Sequence, residues 1–315
     1  MRASLFVFAA FSVVACAAAP AQTSAASTTS VANQPTIVAF TTEPKKQNVG
    51  VIAQEVPATT VPATNNSVAE SKKFETPEAM LSALEKAGDT ISTFRANVIY
   101  DRVDAVSENR ERRKGQIVLT QKAGDLKSRK LAIMFDQLID ASGHATTERQ
   151  RFVFAGGWLF EFDDQRHQLI ARELVPPGEQ LDPLRIGEGP IPIPIGQRKE
   201  QVCQRFEVKF APQPVEQLLK RLENIQGLAL HPKQNAGVDP DLADICVWYD
   251  LTTLMPVAVK AMTKGGDEKI LLLTKIEVNK DFEESTNSLL STEPPTTTSN
   301  GPVWRQDVRP YKDAP

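Results

Sequence analysis

The stretch Arg151–Ile170, RFVFAGGWLFEFDDQRHQLI, decides how this chain is read. Its aromatics recur at every second position: Phe152 and Phe154, then Trp158, Phe160 and Phe162. A period of two marks a half-buried β-strand, because successive side chains point to opposite faces. Gly156-Gly157 between the runs suits a two-residue hairpin turn, whose backbone needs positive φ. Asp163–Arg166 is a polar turn, and His167–Leu174 returns as a further strand. Only 6% of the chain is aromatic, so five aromatics on what reads as one face of two adjacent strands ask for a reason. A packed core is one reason, and an apolar surface that holds a ligand is the other.

Outward from this hairpin the same period persists. Ala96, Val98 and Tyr100 alternate with polar residues, 115–119 make a second strand, and Leu131, Ile133 and Phe135 mark a third. The pattern predicts an antiparallel meander with one apolar and one wetted face. Before it, Thr76-Pro77-Glu78 carries a cap, a first-turn proline and a first-turn acid. Met80, Leu84, Ala87, Ile91 and Phe94 follow at helical spacing, predicting a helix over about 77–92. Residues 176–196, PPGEQLDPLRIGEGPIPIPIG, are too rich in proline for a helix or a central strand. They predict a long extended loop bearing Leu181, Leu184, Ile186, Ile191, Ile193 and Ile195, of the kind that packs across a surface or gates it. A short helix (about 197–204), a strand (205–211) and a helix with Val215, Leu218, Leu219 and Leu222 come next. Strands at 228–231, 244–250, 256–263 and 269–278 complete about ten strands and three helices.

The ends read differently. MRASLFVFAAFSVVACAAAPAQ has a positive start and then an apolar run of about 11 residues, against the roughly 20 that span a bilayer. It predicts a signal peptide over 1–21. Two exits stand open: a lipobox-like Val13-Val14-Ala15-Cys16 with Cys16 as lipidation candidate, and an ordinary cleavage site at Ala19-Pro20-Ala21. Residues 17–73, rich in Ala, Thr, Ser and Pro, predict a disordered tether, and 283–315 a similar tail. The globular part is then 74–282, one β-rich domain.

Net charge is −3, from 36 basic and 39 acidic residues. That balance leaves no electrostatic footprint for nucleic acid. Beyond Cys16, Cys203 and Cys246 form an even pair for an oxidising compartment. A bridge would close a loop of about 44 residues and contribute roughly 4 kcal/mol, and two buried thiols are the alternative. The cysteines and three scattered histidines make a poor metal set, and no cofactor motif is present.

Several stretches then carry a resemblance. These are STFRANV (Ser92–Val98), KGQIVL (Lys114–Leu119), FVFAGGWLFEFD (Phe152–Asp163), GLALHPK (Gly227–Lys233), VWYDLTTLMPVAV (Val247–Val259) and a last strand ending KIEVN. In this order they resemble the LolA/LolB-like lipoprotein-carrier superfamily over most of 77–280. The resemblance implies an α+β, β-rich fold: a curved antiparallel, incomplete β-barrel with helices covering its open side. It also implies an apolar concave face that takes acyl chains. Phe152, Phe154, Trp158, Phe160 and Phe162 are then the cavity candidates. Burying an acyl chain of about 15 methylenes is worth on the order of 12 kcal/mol, which asks for a wide apolar surface and no covalent chemistry. In the family's periplasmic carrier a Lys-Arg-Pro element between strands two and three supplies an Arg that latches a lid. Here the turn reads TQKAGDLKSRK, without Pro, and Lys122 and Arg129 are its candidates.

Three functions compete. The first is a carrier or acceptor of lipid or lipoprotein acyl chains, exported and either periplasmic or anchored to the outer membrane. Its membrane contact is then peripheral or through a lipid anchor. The second is an envelope sensor or interaction module on the same fold, with an envelope protein partner. The third is an enzyme built on Asp163, Asp164 and His167; a polar hairpin turn explains those residues better, since a catalytic constellation needs groups converging in a pocket. Glu161 is expected to face away from the aromatics, into solvent.

Overall fold

The computed structural model describes residues 73–122, 125–179, 182–186, 193–295 and 303–311. The signal peptide, Cys16, the 17–72 segment, Leu181 and Ile191 lie outside them.

In chain order the elements are α1 (Pro77–Asp89), β1 (Thr93–Val103), β2 (Arg110–Lys122), β3 (Asp125–Ile139), β4 (Ala145–Ala155), β5 (Trp158–Asp163) and β6 (Gln168–Glu173). Then follow α2 (Lys199–Arg205), β7 (Phe206–Ala211), β8 (Ile225–Pro232), β9 (Leu242–Asp250), β10 (Pro256–Thr263), β11 (Glu268–Val278), α3 (Glu284–Ser288) and β12 (Arg305–Arg309). The strands form one sheet ordered β12-β6-β5-β4-β3-β2-β1-β11-β10-β9-β8-β7. Its two ends do not meet, so the sheet is a curved, unclosed half-barrel. Every pairing is antiparallel except β12 on β6.

Local chemistry explains the helix that opens the domain. Thr76 Oγ1 accepts from Ala79 N at 3.2 Å, and Pro77 fills the first helical position. The helix stops at Asp89, earlier than the apolar spacing predicts, because the chain must turn into β1.

Paired residues share a face, so the register sorts the side chains. One face, here the inner one, carries Phe94, Ala96, Val98 and Tyr100 of β1, opposite Leu119, Ile117, Gly115 and Arg113 of β2. It continues through Leu131, Ile133 and Phe135 to Phe154, Phe152 and Leu159. On the far half it holds Leu271, Leu273, Val259, Val247 and Leu228. Apart from Gly115, these inner residues are almost fully buried. The outer face is covered at two places. Leu219, with Leu218 and Leu222, packs on Ile225, Trp248, Ala258, Ile270 and Leu272. Leu290, with Leu289, Phe282 and Trp304, packs on Val118, Val153, Phe162 and Leu169.

Three expectations are corrected. The 212–224 segment forms turns rather than a helix, and Val215 is 76% exposed. The stretch from 283 onward is not a structureless tail over 283–295 and 303–311. There α3 forms, Leu290 enters the outer core and β12 adds to the sheet edge. Two leucines and one tryptophan suffice to dock it, too few to register as a period. Cys203 and Cys246 are free thiols. Cys246 projects outward from β9 beside the Leu219–Trp248 cluster, while Cys203 belongs to α2, which packs on α1.

Candidate functional site

The β4–β5 hairpin does not place its five aromatics on one face. Gly156 and Gly157 adopt φ of 57° and 85°, making a two-residue turn. Such a turn pairs Ala155 with Trp158, Phe154 with Leu159, Val153 with Phe160 and Arg151 with Phe162. Even positions before the turn therefore share a face with odd positions after it. Phe152 and Phe154 face inward; Trp158, Phe160 and Phe162 face outward. The three outward residues are removed from the candidate cavity lining. Glu161 is corrected with them: it faces inward and is paired with Arg172 at 2.9 Å. Burial pushes its carboxyl up, opposed by Arg172 and Arg309.

On the inner face an aromatic row draws its residues from three strands, β1, β3 and β4. Tyr100 and Phe135 have ring centroids 6.2 Å apart, and Phe135 and Phe152 lie edge-on at 6.4 Å. Such tilted contacts suit the ring quadrupoles. Burial drives the Tyr100 hydroxyl up to about 12. Next to it Arg113 is buried, its Nε donating to Glu111 Oε1 and its Nη1 to Gln150 Oε1, both at 2.5 Å.

The proline-rich loop lies over the other end of this face. Its described residues Leu184, Ile186, Ile193 and Ile195 are buried. Prolines deny the loop a regular hydrogen-bond ladder, so its carbonyls need side-chain partners. Arg205 Nη1 donates to Ile186 O at 2.9 Å, and Gln197 Nε2 to Leu184 O at 3.0 Å. Arg129 does most. From the inner face of β3 its Nη1 reaches both Asp182 carboxylate oxygens at 2.8 Å, and its Nη2 donates to Ile195 O at 2.9 Å. Its Nε donates to Gln121 Oε1 at 2.5 Å, and Gln121 Nε2 donates to Ile91 O at the end of the α1 turn. One guanidinium thus ties the sheet to two points of the loop.

The loop also docks on α1. A Cβ on Gly88 would fall 2.1 Å from Gly196 Cα, so backbone meets backbone there. Arg198 then pairs with Glu85 at 3.0 Å and Asp89 at 3.4 Å, and Lys199 Nζ donates to Ser82 Oγ at 3.1 Å. Arg129 was only one of two candidates in the sequence, yet a signal exists. It lies in phase with Leu131, Ile133 and Phe135, a cation at an inward position of an apolar strand.

The outward aromatics have other surroundings. Phe162 lies beneath Arg151, whose guanidinium carbon is 3.8 Å from the ring centroid, and meets Trp304 edge-on at 6.0 Å. Trp158 and Phe160 stack at 6.3 Å and line an outer cleft of about 580 Å³, bounded by Leu169, Ala171, Val308 and the 292–295 segment. Of the polar candidates, Asp163 pairs with Arg166 at 2.9 Å within its turn, and the His167 ring rests edge-on against Trp304. His231 meets Asp244 at 2.8 Å on the exposed outer face. Among the described residues no group of three or more His, Cys, Asp or Glu side chains is arranged to hold a metal. No helix of the described residues is long and apolar enough to cross a membrane.

Fold and site together define an open half-barrel with a loop tied over part of its apolar inner face. No family model matches the chain, and no curated protein does. Similar solved structures include an uncharacterized conserved protein of Thermus thermophilus, at 8% identity and TM-score 0.39, covering 74% of this chain and 98% of that one. A LolA superfamily protein from Nitrosomonas europaea is similar at 10% identity and TM-score 0.31, over 67% of this chain and 97% of that one. The Pseudomonas aeruginosa MucA/MucB complex gives 15% identity and TM-score 0.37, with 70% of this chain covering 64% of that one. The strand order and register of the chain itself, rather than these likenesses, define its fold.

Proposed function

We propose that this chain binds the acyl chains of lipids or lipoproteins against the inner face of its half-barrel. It carries or accepts them in the cell envelope. The observation that supports this reading most is the Arg129 tie. A loop bearing buried Leu184, Ile186, Ile193 and Ile195 is tied to the apolar sheet by an inward side chain of β3 bonded to both Asp182 and Ile195 O. Apolar packing is non-directional, so an acyl chain can replace the loop's aliphatic side chains at little cost, whereas the polar tie sets where the loop returns. An Arg–carboxylate pair of this kind contributes specific geometry. Opening the loop would bare the end of the inner face from which Arg129 reaches.

Export belongs to the same proposal, as does attachment through Cys16 or release after Ala21. The mass of the mature N-terminus separates the two exits. The function is tested by organic extraction of the protein purified from its native envelope. Stoichiometric co-purified lipid is expected. Lipid-free protein that also takes up no acyl probe would overturn the reading.

A further inference from the structure

The outer cleft stands apart from the inner face, and no part of the inner-face reading uses it. We propose that it binds a single-chain organic cation, an alkylammonium head on an apolar body. Its floor is the stacked Trp158–Phe160 pair, and its walls are Leu169, Val308, Pro294 and Pro295. A volume of about 580 Å³ falls in the range of small-molecule sites, about 300–1,000 Å³. Among the described residues, Glu293 is the one charged side chain on its walls, and it is acidic. The outward cation Arg151 is committed elsewhere: its Nη1 donates to the carbonyls of Ser288, Leu289 and Ser291, and its plane covers Phe162. An aromatic face, apolar walls and one carboxylate form the chemistry that holds an ammonium head, through the ring quadrupole and charge complementarity.

The position fits small-ligand entry. Val308 is 61% exposed, so the cleft opens to solvent beside the β12 edge. A strand only five residues long, parallel on β6, forms one wall.

The test uses the full mature chain and three probes of equal chain length below their micelle concentrations: dodecyltrimethylammonium, dodecanoate and dodecyl maltoside. Tryptophan emission reports binding. The cation is expected to bind at least about threefold more tightly than dodecanoate, as a cation–π contact at an open site allows. Glu293→Gln, at an exposed position that leaves melting unchanged, should bring the two within about twofold of each other. Trp158→Phe should abolish the emission shift while Trp248→Phe keeps it. Equal affinity for all three probes, an unchanged preference in Glu293→Gln, or no shift at all would overturn the proposal. Because inner-face uptake is read separately by acyl extraction, failure of either reading leaves the other standing.

Discussion

Arg129 Nη1 sits 2.8 Å from both carboxylate oxygens of Asp182, joining β3 to a loop 53 residues further along the chain. The side chain of Arg129 is 1% exposed and that of Asp182 is 21% exposed. Breaking such a pair from the carboxylate side leaves a buried guanidinium undercompensated. Asp182→Ala should therefore lower stability by about 1.5–3 kcal/mol, the scale of hydrogen bonds to charged groups. Arg129→Met removes the charge itself and should melt closer to the wild type. Both should speed uptake of a fluorescent fatty-acyl probe. Thermal melting and stopped-flow uptake read the two effects, and wild-type uptake rates in both variants would count against the loop as a cover.

The two faces of the β4–β5 hairpin should separate in mutagenesis. Phe152→Leu keeps an apolar residue on the inner row and costs about 1 kcal/mol; it should also change the acyl-probe affinity. Phe160→Leu should leave that affinity unchanged, because its side chain stacks on Trp158 on the other face. The opposite result would reverse the assignment of faces.

That assignment is also where the sequence misleads. The alternation, the Gly-Gly turn and the antiparallel meander were legible, and β10 matches its predicted span of 256–263. Position parity across the hairpin was not, since it follows from the two-residue turn and inverts which numbers share a face. The turn was recognisable, so the inversion could have been worked out from Gly156-Gly157 alone. Arg129 was visible as an in-phase cation, but its partners Asp182 and Ile195 lie far along the chain, and no local pattern carries a contact of that range. The 283–311 stretch failed for another reason. A few large side chains, Leu289, Leu290 and Trp304, dock it without any period for a sequence to display.

The C-terminal stretch yields its own prediction. Trp304→Ala should uncover Phe162 and lower stability by about 1–3 kcal/mol, less than the about 3–5 kcal/mol of a fully buried aromatic, since Trp304 is only partly buried. Chemical denaturation gives the value. A change within a few tenths of a kcal/mol would return the stretch to a loosely associated tail.

Lys269 offers a pH test. Burial, and then Arg102 across the strand pair, lower its amine to about 8, against partial compensation from Asp239 and Asp267. The folded value lies below the unfolded one, so the native state loses its proton first. Below about pH 8 both states are protonated and the cost of the buried charge is fully present. Between about pH 8 and about pH 10 the unfolded chain binds more protons, so stability rises with pH. Above about pH 10 Tyr100, held up to about 12 in the fold, works in the other direction. The melting temperature of the wild type should climb from about pH 7.5 to about pH 9.5 relative to Lys269→Met. Parallel profiles for the two proteins would remove Lys269 from this pH dependence.

The ligand surface proposed for this chain is the inner face beneath the tied loop. A photoactivatable fatty-acyl probe, crosslinked to the purified chain and mapped by peptide mass spectrometry, addresses that assignment most directly. Adducts are expected on the peptides carrying Leu131–Phe135 and Phe152–Phe154, more of them in Asp182→Ala, and few on Trp158 or Phe160. Adducts confined to the Trp158–Phe160 side, or none above background in either protein, would contradict it.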